Sequence, residues 1–349
     1  MSSPISRRDF LKFGGISMAG LALMPFSLRS NGFDDSEVVR VATTSVSVYS
    51  APTDKAAITG TWYKDDLVHV YEKITAAEPT YNPIWYRVWG GYMHRARLQP
   101  VKTILNAPLT SLPEGQRMLA EVTVPFVHPW RKTSGGWQDT LEFRLYYSSV
   151  YWIDAVEPEG PDGEPWYRIW DDLAGTYFVP ARFFHPIPPE ELTPLSPDVA
   201  PENKHIDVNL TTQRLVAYEN GNVVLQTNIS SGMPFGRTAT SVGKFDIDPK
   251  TPSKHMGNGN LFAGTDDYEL PGVPWTSFFT DNGQAFHGTY WHDNFGTPMS
   301  HGCINMRTEE AKWIFRWSTP SVDVAKLLDA TDARGREMHG FGTTVEVHY

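Results

Sequence analysis

One stretch of this sequence gathers residues that do covalent chemistry. It runs Phe286-His287-Gly288-Thr289 and, after a spacer, Met299-Ser300-His301-Gly302-Cys303-Ile304-Asn305-Met306-Arg307. Cys303 is the only cysteine of the 349 residues. A thiol nucleophile needs a base to make thiolate, donors for an oxyanion and a cleft for an acyl group. His287 takes the thiol proton if the fold brings it within ~3 Å. Gly288 lets another group approach its backbone, and its carbonyl, or a neighbour's, can hold the second imidazole nitrogen and set the tautomer. Gly302 lets the chain approach a substrate carbonyl closely, so the N–H groups of Gly302 and Cys303 are the natural oxyanion donors. His301, two residues before the thiol, adds positive or dipolar character that favours thiolate.

This segment resembles the signature of the L,D-transpeptidase family, with its YkuD-type catalytic domain. The family pattern is a His-Gly pair, a spacer, then Ser/Thr-His-Gly-Cys, an apolar residue, and Asn or Arg. Here the spacer from His287 to Ser300 holds 12 residues, at the short end of the family's range. The resemblance extends over about 145 residues, through Ile206-Asp207-Val208-Asn209-Leu210, Gln213-Arg214-Leu215, Ser230-Ser231-Gly232, Ser241-Val242-Gly243-Lys244-Phe245 and Gly342-Thr343-Thr344-Val345. It implies cell-wall chemistry on peptidoglycan stem peptides, with no metal or cofactor. Cys303 would be the nucleophile and His287 the proton carrier. His301 and Ser300 would shape the site, and Asn305 and Arg307 would contact substrate. Arg307 could instead pair with a carboxylate at the start of the following helix. The expected reaction is acyl transfer through a Cys303 thioester to a neighbouring stem amine. The same site would be an L,D-carboxypeptidase with water as acceptor, and a wall-binding protein without catalysis is the reading from another class.

Other residues carry less. His287, His292, His301 and Cys303 can be drawn as a zinc site, but the spacings are not helical and no HExxH or paired cysteine appears. His292 reads as a solvated loop residue. Tyr268 and Trp275, in a Gly- and Pro-rich stretch, are expected to cover the cleft.

The elements that must position the thiol are mostly strands. His205 to Leu210 alternates like a half-buried strand. Gln213 to Tyr218 and Val223 to Thr227 form a hairpin across Glu219-Asn220-Gly221-Asn222. Lys244 to Asp248 and Thr343 to Val347 alternate as well. One helix follows the cysteine, with Thr308 as N-cap, Glu309 and Glu310 in the first turn, and Ala311, Ile314 and Phe315 as its apolar stripe. A second amphipathic segment surrounds Val324, Leu327 and Leu328. The expected fold is mainly β: two small SH3-like barrels, then a β-sandwich-like catalytic domain with one or two helices.

The barrels rest on an internal repeat. Trp85-Tyr86-Arg87-Val88-Trp89 recurs as Trp166-Tyr167-Arg168-Ile169-Trp170, each followed by a Gly-bearing turn and a second aromatic strand. This hairpin resembles the end of bacterial SH3-like domains, which implies modules that hold a catalytic domain on the wall. The division expected is a module over 36–102, a second over 103–185, a stiff Pro-rich linker over 186–203 and the catalytic domain over 204–349.

Residues 1–33 read as an address. Ser6-Arg7-Arg8-Asp9-Phe10-Leu11-Lys12 precedes an uncharged run from Phe13 to Leu28. The run is shorter than the ~20 residues of a membrane span. The pattern resembles the twin-arginine export signal, which implies a folded cargo delivered to the periplasm or cell-wall space. With no clear cleavage site, an uncleaved membrane anchor stays open. The chain's net charge of −10 disfavours nucleic acid as a partner.

Overall fold

The computed structural model describes residues 37–140, 143–257, 269–331 and 336–349. The expected export signal and Tyr268 lie outside them. The chain is mainly β, with strands in several sheets and two α-helices among the described residues.

The first module spans Val38–Val101. A three-stranded sheet (Leu67–His69, Val38–Val41, Leu98–Val101) packs with a five-stranded one (Ile58–Tyr63, Ser45–Tyr49, Gly91–His94, Ile84–Val88, Glu72–Thr75). Alternation puts Val39, Val41, Val48, Val68, Val88, Met93 and Leu98 inside. The second module carries a seven-stranded sheet from Met118–Val122 to Phe184–Pro186. The sequence repeat is a structural repeat. Ile84–Val88 pairs with Gly91–His94, and Trp166–Asp171 pairs with Gly175–Pro180. Each hairpin runs into one turn of 3₁₀-helix and then a further strand.

The modules are not beads on a string. Leu119, Val150 and Trp152 of the second module join the same apolar core as Ile206, Phe286, Ile304 and Phe315 of the C-terminal part. The segment 186–203, expected as a stiff linker, is docked. Ile187 and Leu192 are fully buried, Glu191 pairs with Lys312, and the Leu195 N–H donates to the Arg316 carbonyl. Its prolines stiffen a chain that is then packed down along its length, because the apolar residues between them have a core to enter.

The C-terminal part holds two sheets. One runs Asn222–Asn228, Arg214–Glu219, Lys204–Asn209, Thr344–His348, Gly243–Asp246. The other runs Lys250–Met256, Leu270–Phe278, Ala285–Gly288, Ile304–Met306. The helix α1 (Thr308–Trp317) packs on Leu270–Phe278 and Ala285–Gly288, burying Ala311, Ile314, Phe315 and Trp317. Arg307, not Thr308, occupies its N-cap position, and no side chain caps it. The C-terminal end is better served. Lys250 Nζ donates to the carbonyls of Phe315 (2.7 Å) and Ser318 (2.8 Å), and Lys204 Nζ donates to that of Trp317 (2.8 Å). Two lysines thus supply donors to the last carbonyls. The short helix α2 (Val324–Leu328) inserts Leu327 and Leu328 into the core, with Asp323 as N-cap.

Candidate active site

Ala285–Gly288 and Ile304–Met306 are parallel neighbours, with His287 opposite Asn305 and Phe286 opposite Ile304. Side chains alternate along a strand, so Phe286 and Ile304 enter the core while His287 and Asn305 share the other face. Cys303 immediately precedes its strand and lies two residues from Asn305, which puts it at the edge of that same face.

His287 is fully buried. Its Nδ1 lies 3.0 Å from the Gly288 carbonyl oxygen. A carbonyl only accepts, so Nδ1 carries the proton and Nε2 keeps its lone pair. Nε2 has no protein partner among the described residues. Burial pushes the ring down to about 4, so the imidazole is neutral. Part of Cys303 reaches solvent, yet the protein atoms around its sulfur push the thiol up to about 11, against a hydrogen bond from the Ala285 backbone. His301 is exposed, and burial is the first influence on the thiol.

The chain around Cys303 is fixed by short-range hydrogen bonds. Ser300 Oγ donates to the Cys303 carbonyl (2.5 Å) and accepts from the Gly302 N–H (3.1 Å). The Gly302 amide is thus committed to Ser300, which corrects its expected role as an oxyanion donor. Thr240 Oγ1 donates to the Gly302 carbonyl (2.9 Å) and accepts from the Gly232 N–H (2.8 Å). Gly302 has φ +123°, and a Cβ there would meet Gln284 Nε2 at 3.0 Å. Gly288 is needed for packing: a Cβ would stand 2.7 Å from Pro274 Cγ and 3.1 Å from the backbone of Thr308. Ser230 and Asn305 exchange backbone hydrogen bonds at 3.0 and 2.9 Å, which ties a third segment to the cysteine strand.

Arg307 takes the second of its two expected places: it lies 3.4 Å from Glu310 in the first turn of α1 and sits over the Phe295 ring at 4.7 Å. It lines a groove of about 330 Å³ with Glu37, Arg95 and Asp293, on the side of the first module. Trp275 is buried against Phe315 at 5.4 Å, behind the sheet, so it does not cover the cleft. The four donors of the zinc alternative are not gathered either. Among the described residues the group whose metal-capable atoms converge is Asp171, Asp172 and His255.

His292 is the residue that sequence reasoning missed. It is buried, its Nε2 lies 2.8 Å from Asn305 Nδ2, and burial with the nearby Arg97 and His287 pushes it down to about 3. Thr240 and Gln284, which hold the chain about Cys303, were missed too. Their one signal is position: His292 lies inside the spacer, and Gln284 three residues before His287.

Residues 203–347 match the YkuD family, the L,D-transpeptidase catalytic domain. This part of the chain is a YkuD-family L,D-transpeptidase domain. Among curated proteins, the domain is similar to the Bacillus subtilis L,D-transpeptidase candidate YciB, 26% identical over 130 residues, covering 34% of this chain and 63% of that one. The chain thus spans less than two thirds of that relative. Among solved structures it is similar to an Enterococcus faecium L,D-transpeptidase, crystallised as a cysteine-to-serine mutant (26% identity, 42% of this chain, 50% of that chain, TM-score 0.31). A Mycobacterium smegmatis L,D-transpeptidase is also similar (17% identity, 53% and 77%, TM-score 0.33). The assignment rests on the family match together with the His287 and Ser300–Cys303 segment, not on these superpositions.

Proposed function

We propose that this protein is a cysteine-dependent L,D-transpeptidase that cross-links peptidoglycan stem peptides in the periplasm or cell-wall space. The observation that carries the reading is the parallel pairing of the His287 and Asn305 strands, which brings a neutral imidazole with a bare Nε2 to the face that Cys303 borders. In the first step Cys303 Sγ attacks the carbonyl that follows an L-centre while its proton passes to His287 Nε2. The tetrahedral oxyanion is met by the Cys303 N–H. The C–N bond to the terminal D-amino acid then breaks, and that amine leaves with the proton from His287. A thioester remains on Cys303. The amine of a second stem attacks it, His287 takes the amine proton, and the thiol is restored as the new amide forms. His301, Ser300 and Asn305 shape the site in this reading, and no metal or cofactor enters it. We assign the two N-terminal modules to holding the catalytic domain and residues 1–33 to twin-arginine export.

The test is incubation of the purified protein with tetrapeptide stems, read by mass spectrometry. A thioester on Cys303 and a cross-linked dimer are expected. Free tripeptide alone would assign hydrolysis instead. Sacculus binding with no product, identical in wild type and Cys303→Ala, would leave only a binding role.

A further inference from the structure

The face bearing His287 holds a second buried histidine with no part in the reaction just described. His292 has two hydrogen-bonding neighbours that fix its state. Its Nδ1 accepts from the Asn294 backbone N–H at 3.2 Å, so that nitrogen bears no proton. A neutral imidazole carries one proton, which must then sit on Nε2. Nε2 lies 2.8 Å from the Asn305 side-chain amide. An N–H facing an amide NH₂ would oppose two donors, so the amide must turn its oxygen to His292. Amide oxygen and nitrogen exchange places in such an assignment at little change in shape. The NH₂ group then points to the place where the other amide atom has no protein partner among the described residues. Asn305 stands opposite His287 in the strand register, and the unpartnered Nε2 of His287 belongs to the same face.

The loop carrying His292 is held from outside the catalytic domain. Asn82 Nδ2 of the first module donates to Asn294 Oδ1 at 2.6 Å and to the Asp293 carbonyl at 3.3 Å. Arg40 Nη2 donates to the Tyr290 carbonyl at 3.0 Å, while its other nitrogens hold Asp65 and Gln99. The Asp293 N–H donates to the Ala96 carbonyl at 3.2 Å. Asn82 and Arg40 are both 2% exposed, so water does not compete for these contacts.

We propose that His292 is a positioning residue: it orients the Asn305 amide so that its NH₂ is offered to an acceptor oxygen of the substrate, and the first module holds His292 in place. The acceptor is a peptide carbonyl or carboxylate of the donor stem, and that clause rests on the proposed function. The orientation itself does not.

The experiment has two arms. In the first, imidazole-¹⁵N-labelled full-length protein is examined by long-range ¹H–¹⁵N correlation at neutral pH. His292 should show a protonated Nε2 and a bare Nδ1, while His287 shows the reverse. A proton on His292 Nδ1, or a charged ring, overturns the proposal whatever the protein catalyses. In the second, acylation of Cys303 by a tetrapeptide stem is followed in His292→Phe, Asn305→Ala, the double variant and Asn82→Ala. The first two should each lose about tenfold to a hundredfold in kcat/KM, the loss of one hydrogen bond to a buried polar group. The double variant should be no worse than Asn305→Ala, because His292 acts only through that amide. Asn82→Ala should lose less, and its His292 Nε2 proton should exchange faster. Additive losses in the double variant, with His287 keeping its wild-type ¹⁵N pattern, would show a general structural role and overturn the proposal. If wild type fails to acylate at all, the proposed function fails while the first arm still decides the orientation.

Discussion

With Cys303 near 11 and His287 near 4, the resting site holds a thiol and a neutral imidazole rather than an ion pair. The two values lie about seven apart, and each pH unit is ~1.36 kcal/mol, so moving the proton between separated groups costs ~9–10 kcal/mol. At ~4 Å and an effective dielectric of ~20, the attraction of the new charges returns ~4 kcal/mol. The remainder fits inside the ~16 kcal/mol barrier of a reaction turning over at ~10 s⁻¹. The ion pair is therefore an accessible minor species and not the resting state. The assay is the reaction of Cys303 with 4,4′-dithiodipyridine, a neutral disulfide, across pH 5–10. At pH 7.5 the thiolate fraction is ~3 × 10⁻⁴, against ~0.09 for an ordinary thiol of pKa ~8.5. The more basic thiolate is intrinsically faster by ~10-fold, so the net rate should be ~30-fold below that of an unstructured peptide thiol. The logarithm of the rate should rise with unit slope and show no plateau below pH 9. His287→Ala should change it by only a few fold, while peptide acylation collapses. A fast, flat rate between pH 5 and 7 that falls by a hundredfold in His287→Ala would refute the reasoning, since it would reveal a resting thiolate–imidazolium pair.

Four further outcomes follow from the same structure. His287 and His292 are held below their unfolded value of ~6.5, so the stability they contribute is present above that value and lost as pH falls toward 4; each should cost ~3 kcal/mol by pH 4 in denaturant titrations, and His292→Phe should flatten the fall. His255 is the opposite case: both its ring nitrogens lie 2.7 Å from carboxylates, those of Asp171 and Glu269, which hold it above its usual value. Its contribution is complete below ~6.5 and lost as pH rises through the folded value, so thermal scans should show a decline on the alkaline side that His255→Gln lacks. Lys250→Met should destabilise the fold by ~1–3 kcal/mol, read from the urea midpoint, because the carbonyls of Phe315 and Ser318 lose their donor. Gly232→Ala places a Cβ 2.1 Å from the Thr238 carbonyl oxygen and 2.8 Å from Gly302 Cα, so it should cost at least ~1–3 kcal/mol and suppress acylation of Cys303.

The strands of one C-terminal sheet and the helix after Cys303 were legible because their apolar residues keep a period, whereas the sheet bearing His287 was not read as strands. His205 to Leu210, the Asn220-Gly221 hairpin and the stripe on α1 are local patterns that any tertiary setting would preserve. Cys303 and His287 stood out as candidates because few arrangements of those residue types make chemical sense. What escaped depends on contacts far apart in the chain. No local pattern says that Asn82 will meet Asn294, 212 residues away, or that Lys250 will be buried under a helix end 65 residues on. His292 looked solvated because its neighbours Trp291 and Asp293 are a mixed loop sequence. The first module covers that loop, and the covering turns a loop histidine into a buried one. The docking of the Pro-rich segment 186–203 escaped for the same reason: Ile187 and Leu192 find their core only in the folded whole.

The two strands that carry His287 and Cys303 run the same way, so the chain between them must travel back over its own length. Parallel neighbours ordinarily require about a dozen residues to make that return, most often with a helix as the strut. Here residues 289–303 make it with no helix. Without a strut of its own, the connection borrows stiffness from Arg40 and Asn82. The segment cut out at residue 203 would keep every residue of its signature and lose the scaffold of this return span. Any activity measured on that fragment should fall below that of the whole chain.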